Sequence, residues 1–287
     1  MGRSTISALT AAGHTVVGTA RSASAAEVVA EQGADPVRAD VLDLDALTAA
    51  MRGCDAVVNF ATRVPVGFAM LVPGAWRAND RLRSHGAGIV ARAAQAAGVG
   101  RLVQQSLSFV YADHGDEWVD EQSAIELTPA SEHVVIAEGE VEAFTRAGGT
   151  GVSLRFGQIA GDDRNTAWLL RRARAGRSTG IGHPDSWTHV VHTDDVGTAA
   201  VAALAVPAGS YNVGAEPVKR RDMADTFAQC GGRKEGKFFS TPMMRLGGQR
   251  IEMVSRSQRV SSQRFSDRTG WYPQYPKLTP DWFDGVR

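Results

Sequence analysis

The tightest constraint on this chain is an alternation within its first 160 residues, where short β-branched runs are separated by alanine-rich stretches of helical period. Residues 3–12 read as a helix with Ile6 and Leu9 inward, stopped by Gly13. Residues 14–20 read as a buried strand, 24–32 as a helix ended by Gly33, 37–39 as a brief strand, and 43–52 as a helix ended by Gly53. A strand follows over 55–60. Across 76–97 the apolar residues Ile89, Val90, Ala93, Ala94 and Ala97 recur with helical period up to Gly98, and 102–106 is the next strand. A helix over 134–146 leads through Gly148 and Gly149 into a strand over 152–156. Strands separated by helices of this length need crossover connections. The expected fold class is therefore α/β, a doubly wound parallel sheet with helices on both faces.

Past residue 160 the rhythm fades into shorter helices over 165–175 and 219–229, richer in Arg, Pro, Met and Trp. This predicts a ligand-binding domain over 1–160 and a smaller substrate-facing lobe over 161–287, with 189–213 returning to the first domain. The chain shows no internal repeat and no low-complexity linker.

Composition excludes several classes. Of 287 residues, 31 are Lys or Arg and 31 are Asp or Glu, a formal net charge of zero with no basic block. Such a chain lacks the electrostatic footprint of a nucleic-acid or membrane-surface binder. No run approaches eighteen apolar residues and no leader is readable. Cys54 and Cys230 make neither a metal spacing nor a disulfide framework, which suits the cytoplasm. His183, His189 and His192 are scattered, so no metal site is expected. The four lysines are Lys219, Lys234, Lys237 and Lys277, which leaves none in the first 218 residues.

In a doubly wound sheet a ligand sits beyond the carboxyl ends of the strands, so the residues after each strand carry the information. After the first strand stand Arg21 and Ser22, where a carboxylate would suit a ribose hydroxyl and a guanidinium suits a ribose phosphate. Asp40 and Val41 follow the second, placed to meet an adenine amine and pack on its ring. Asp40 equally suits a helix cap. Asn59, Phe60, Ala61 and Thr62 follow the third, and Ser106 to Tyr111 the fourth, with hydroxyls at Ser106 and Ser108.

These segments, with 154–161 (Leu-Arg-Phe-Gly-Gln-Ile-Ala-Gly), 191–196 (Val-His-Thr-Asp-Asp-Val), 211–214 (Tyr-Asn-Val-Gly) and 269–273 (Thr-Gly-Trp-Tyr-Pro), resemble the extended short-chain dehydrogenase/reductases, and more narrowly the NAD(P)-dependent epimerase/dehydratase family. The resemblance spans essentially the whole chain. It implies a Rossmann-type domain that binds NADP in preference to NAD, a lobe that holds a small-molecule substrate, and, by analogy, pairing into a homodimer. Arg21 and Ser22 would hold the 2′-phosphate, and Asp40 and Val41 would flank adenine. Gly2, Asn59, Ala61 and Thr62 would line the path of pyrophosphate and ribose. Ser106 or Ser108 would stand beside the nicotinamide, with Gly157, Gln158 and Ile159 closing over it.

Two departures bear on function. The family opens with a strand and a glycine-rich turn, whereas Met1-Gly2-Arg3-Ser4 begins where the last glycine of that turn belongs. Loss of a central strand leaves both neighbours with unpaired backbone groups, at roughly 1–3 kcal/mol for each one buried. Either the start codon is assigned too late or the chain is a decayed copy with impaired cofactor binding. The first is favoured, since the other cofactor-side positions look intact.

The second departure is the family's Tyr-x-x-x-Lys proton-transfer pair, whose positions fall near Ala130 and Val134 in the segment 130–138. That segment has no Tyr and no Lys. Candidate substitutes are Ser106, Ser108 and His133, the last helped by Glu132, because an unperturbed imidazole titrates near 6.5. His133 also reads as an ordinary surface residue at a helix start, and the serines as structural. Asp194 and Asp195 read as a cap for the helix after residue 192. The expected function is an atypical NADP(H)-dependent oxidoreductase or epimerase/dehydratase-like enzyme. The alternative is a non-catalytic NAD(P)-binding sensor or scaffold. Trp76, Trp118, Trp168 and Trp187 suggest an apolar substrate wall, or else core.

Overall fold

The computed structural model describes residues 1–286. The first half runs α1 (Gly2–Ala11), β1 (Val17–Ala20), α2 (Ala23–Glu31), β2 (Asp35–Arg38), α3 (Leu44–Met51), β3 (Ala56–Asn59), α4 (Arg77–Arg81), α5 (Ala87–Ala96), β4 (Arg101–Leu107) and the two-residue β5 (Trp118–Val119). Then come α6 (Glu132–Arg146), β6 (Thr150–Phe156), β7 (Gln158–Ala160), α7 (Arg164–Arg174), β8 (Trp187–Thr188), β9 (Val190–His192), α8 (Thr193–Ala202) and β10 (Gly209–Val213). The chain closes with β11 (Val218–Lys219), α9 (Arg220–Cys230), α10 (Thr241–Leu246), α11 (Gly248–Ser255), β12 (Arg259–Val260) and α12 (Gln263–Thr269).

The main sheet has the order β10-β6-β4-β3 and is parallel throughout. Its central strands β4 and β6 are buried along nearly their whole length, as a sheet covered on both faces requires. Consecutive residues of β4 show the two layers. Leu102 joins Leu47, Met51, Ile89, Val90, Val141 and Phe144 from α3, α5 and α6, whereas Val103 joins Val152, Leu154, Val191, Val196 and Phe265. On that second face α1 lies against α8, and a Cβ at Gly197 would run into the Ser4 carbonyl oxygen, so glycine sets how closely the helices approach.

Strands β1 and β2 form a separate parallel pair with register Val17 to Asp35 through Ala20 to Arg38. Among the described residues β1 and β3 share no ladder. Strand β1 is half-exposed, with Val17 at 45%, rather than the buried strand its β-branched run predicts. The helix expected over 76–97 is interrupted: α4 passes through a π-helical turn, Leu82–Gly86, into α5.

The C-terminal part divides between two places. Strand β10 and α12 rejoin the main core through Tyr211, Val213, Phe265 and Trp271. A second core forms around Leu170, Met223, Phe227, Trp282 and Phe283, where the Phe227 and Phe283 rings stack at 4.7 Å. No helix among the described residues is long and apolar enough to cross a membrane.

Candidate active site

Because the main strands are parallel, their carboxyl ends and the starts of the helices that follow crowd onto one edge. Arg21 follows β1 and Asp40 follows β2. Arg21 Nη1 lies 4.0 Å from Asp40 Oδ2, with both side chains well exposed at 66% and 48%. This pair is too solvated to matter for stability. It leaves guanidinium donors free for a ligand. Ser22 caps α2 by accepting from the Ala25 amide at 3.2 Å, so its oxygen is partly committed. Asp40 caps no helix: its Oδ1 accepts from the Leu42 amide at 2.9 Å, and Asp43 caps α3 instead. Val41 packs toward Gly86 and the core of the α3–α5 layer.

Asn59 closes β3 with its amide donating to Gln104 Oε1 at 2.8 Å and its oxygen accepting from the Ala61 amide at 3.3 Å. Ala61 and Thr62 are half-buried on the outgoing loop. At the start of α1, the first-turn amides have no intrahelical acceptor, and a Cβ at Gly2 would meet nothing within 4 Å. The exposed guanidinium and the helix start each carry donors of the kind that hold phosphate. Gly157 is held for another reason. A Cβ there would strike the His189 backbone, and Gln158 donates its amide to His189 O at 2.8 Å as β7 pairs with β9. Gln158 and Ile159 are half-buried, Ile159 against the main core.

The serines are turned inward, a correction to the expectation that they face a nicotinamide. Ser106 is fully buried and donates to Glu138 Oε1 at 2.5 Å. Glu138 in turn accepts from Arg155 Nε at 2.8 Å and Nη2 at 2.7 Å, and Arg155 Nη1 donates to the Tyr111 hydroxyl at 2.8 Å. The Tyr111 hydroxyl donates in turn to Asn212 Oδ1 at 2.8 Å. Burial opposes the charge on Arg155, but the two-pronged bond to Glu138 outweighs it and raises the guanidinium above its ordinary value. Burial also pushes the Tyr111 phenol up, so it stays protonated. This chain ties β4, α6, β6 and β10 together. Ser108 is likewise sealed, 3.0 Å from His189 Nδ1, and burial drives His189 down to about 3, leaving it neutral.

His133 is also corrected: it is buried, not a surface residue. Burial lowers its pKa to about 4, helped by the neighbouring Arg83 and Arg250 and opposed by Asp80. Its Nδ1 stands 3.8 Å from Asp80 Oδ1, a spacing that suggests an ion pair, but an imidazole neutral at pH 7 makes none. Asp80 spends its charge on Arg250, whose Nη2 bonds Asp80 Oδ2 while the guanidinium lies 4.4 Å over the Trp76 ring. Ala130 and Val134 beside His133 are both buried. The helix after residue 192 is capped by the His192 side chain accepting from the Asp194 amide at 3.3 Å. Asp195 is buried instead and accepts from the Gln274 and Tyr275 amides.

Sequence reading missed Asn79 and Arg83. Asn79 is buried on α4 and accepts from the Arg63 amide at 3.2 Å, joining α4 to the loop after β3. Arg83 lies in the π turn, 5% exposed. The signal that could have found them is the density of polar residues, Asn79, Asp80, Arg81 and Arg83 within five positions, inside a segment otherwise read for its apolar period. The tryptophans fall in two pairs: Trp76, stacked under Arg250, and Trp168, 5.3 Å from Phe68, both border the stretch Gly67–Leu71, and Trp118 and Trp187 flank Arg259 at 4.2 and 4.7 Å. No cluster of three potential metal ligands occurs among the described residues.

The chain is similar to several known proteins. A relative from Streptomyces sp, a 3-diazoavenalumate denitrifying reductase, is 28% identical over all of this chain and 95% of its own length. A nucleoside-diphosphate-sugar epimerase from Pseudomonas aeruginosa superposes with a TM-score of 0.77 at 18% identity, covering 98% of this chain and 90% of that one. A UDP-glucose 4-epimerase from Thermus thermophilus, solved with NAD, gives 0.75 at 21% identity, covering 100% and 96%. The one from Thermotoga maritima, solved with UDP-glucose, gives 0.78 at 16%, covering 99% and 95%. Residues 1–207 match the family described as NAD(P)H-binding. The chain therefore belongs to the NAD(P)H-binding family, on the Rossmann-type fold shared by reductases and sugar epimerases.

Proposed function

We propose that the protein is an NADPH-dependent reductase of a small organic substrate that needs no proton from a side chain. NADPH, when bound, supplies a hydride. Arg21 would hold its 2′-phosphate, and the start of α1 and the loop from Asn59 to Thr62 would lie along its pyrophosphate and ribose. The carrying observation is the start of α6, where the family's proton-transfer pair would stand. There Ala130 and Val134 are buried and apolar, Glu132 is turned out to solvent, and the buried His133 is neutral, its pKa lowered to about 4. A ketone or sugar substrate needs a proton donor or acceptor in step with the hydride. A diazonium substrate does not: it gains a hydride, loses N2 and ends with a C–H bond, its positive charge cancelled. The relative named as a denitrifying reductase supports this class of substrate.

The test is NADPH oxidation by the purified protein with an arenediazonium salt, set beside a panel of aldehydes and UDP-glucose. Oxidation above the protein-free rate, with N2 released one for one, is expected for the diazonium alone. Turnover of the carbonyl panel would contradict the proposal. The same apolar α6 face also favours a non-catalytic NADP-binding sensor, and tight NADPH binding without oxidation by any of these substrates selects that reading.

A further inference from the structure

Arg83 is 5% exposed, yet among the described residues its guanidinium makes no hydrogen bond and no ion pair, and its Nε is sealed from solvent without an acceptor. Buried charges are ordinarily paired, because removal from water is costly unless a partner replaces it. Burial lowers Arg83 to about 10, which still leaves it charged at neutral pH. Its neighbours do not neutralise it. Asp80, the one nearby carboxylate, is bonded to Arg250, and His133 on α6 is neutral. The cluster of Asp80 and Arg83 from the α4–π turn, His133 from α6 and Arg250 from α11 thus carries one excess positive charge.

The position is telling as well. Arg83 follows Asn79 by four residues, and Asn79 holds the loop that leaves β3 at the strand-end edge. Trp76, one turn earlier, donates to Met70 O at 3.0 Å, so the apolar stretch Gly67–Leu71 borders the same cluster. A π turn inserts an extra residue into a helix and re-aims the side chains on it, a device found frequently at functional sites.

From this we infer that Arg83 is the anchor for a carboxylate on the substrate, so that the protein takes small organic acids whose apolar part rests toward the 67–71 loop. The inference builds on the reading of the strand-end edge as the reaction site. It goes further by naming the group that is recognised. A guanidinium presents a planar fork of donors that a carboxylate matches two-pronged.

The experiment compares binding of cinnamate and its neutral counterpart cinnamamide to the NADP⁺-loaded protein by calorimetry. Wild type should prefer cinnamate by roughly 10- to 100-fold, the scale of a charge-assisted hydrogen bond. Arg83→Met should erase that preference while NADP⁺ affinity stays within about twofold, since the guanidinium it removes grips the substrate and not the cofactor. Absence of a carboxylate preference in wild type overturns the inference even if the variant does not fold. Equal weakening of NADP⁺ and cinnamate overturns it too, because Arg83 would then serve the cofactor's phosphates. Binding is read without turnover, so a protein that selects cinnamate through Arg83 but never oxidises NADPH keeps this inference and loses the reductase reading.

Discussion

Single residues divide here into those spent on the fold and those left free for a ligand. Arg21 is free. Arg21→Asp should weaken NADPH by about 1.5–3 kcal/mol and leave NADH nearly unchanged, measured by fluorescence titration; equal weakening of both would remove it from the site. Glu138 is spent on Ser106 and Arg155. Glu138→Leu strands a buried guanidinium, so urea melts should show a loss of about 3–5 kcal/mol. His133 and His189 are neutral in the fold at about 4 and 3, below the ordinary 6.5. A lowered histidine contributes stability that is whole above pH 6.5 and drains away as pH falls toward 4. Denaturant midpoints should therefore drop across that window, and His133→Gln should flatten the drop. The strand-end residues Arg21, Asp40 and Asn59 were legible in sequence because position after a strand implies position at the edge. The serines misled, since sequence cannot tell which way a hydroxyl turns. Ser106 turned toward Glu138, thirty-two residues away.

At the scale of elements, periodicity located the strands and helices of the main sheet but not their local irregularities. The π turn at Leu82–Gly86 interrupts a segment read as one helix, just before α5 packs against α3 and α6. That turn hid Arg83. Strand β1 looked buried because Val16, Val17 and Thr19 are β-branched, yet among the described residues it pairs with β2 alone. Helix α1 owes its seat to Gly197 on α8. Gly197→Val should push α1 outward, cost about 1–3 kcal/mol in thermal or urea unfolding, and weaken NADP⁺ as the start of α1 shifts. Unchanged NADP⁺ affinity in a folded Gly197→Val protein would separate α1 from the binding site.

For the whole molecule, the doubly wound class followed from alternation alone, but the division of the sheet into β1-β2 and β3-β4-β6-β10 is a property of the assembled chain. The small pair lacks the two-sided cover enjoyed by β4 and β6. Hydrogen exchange should find its amides the less protected, with NADP⁺ slowing them most near Ala20 and Arg38. What the molecule does with its cofactor turns on whether any side chain moves a proton. The direct measurement is the solvent deuterium isotope effect on kcat/KM for arenediazonium reduction, alongside the effect of deuterium in the transferred position of NADPH. With no Tyr–Lys pair at the start of α6 and no proton taken up by the diazonium, the solvent effect should be about 1 while the cofactor effect is clearly above it. A solvent effect of about 2 or more would mean that a proton in flight limits the reaction, contrary to a hydride transfer that needs none from a side chain.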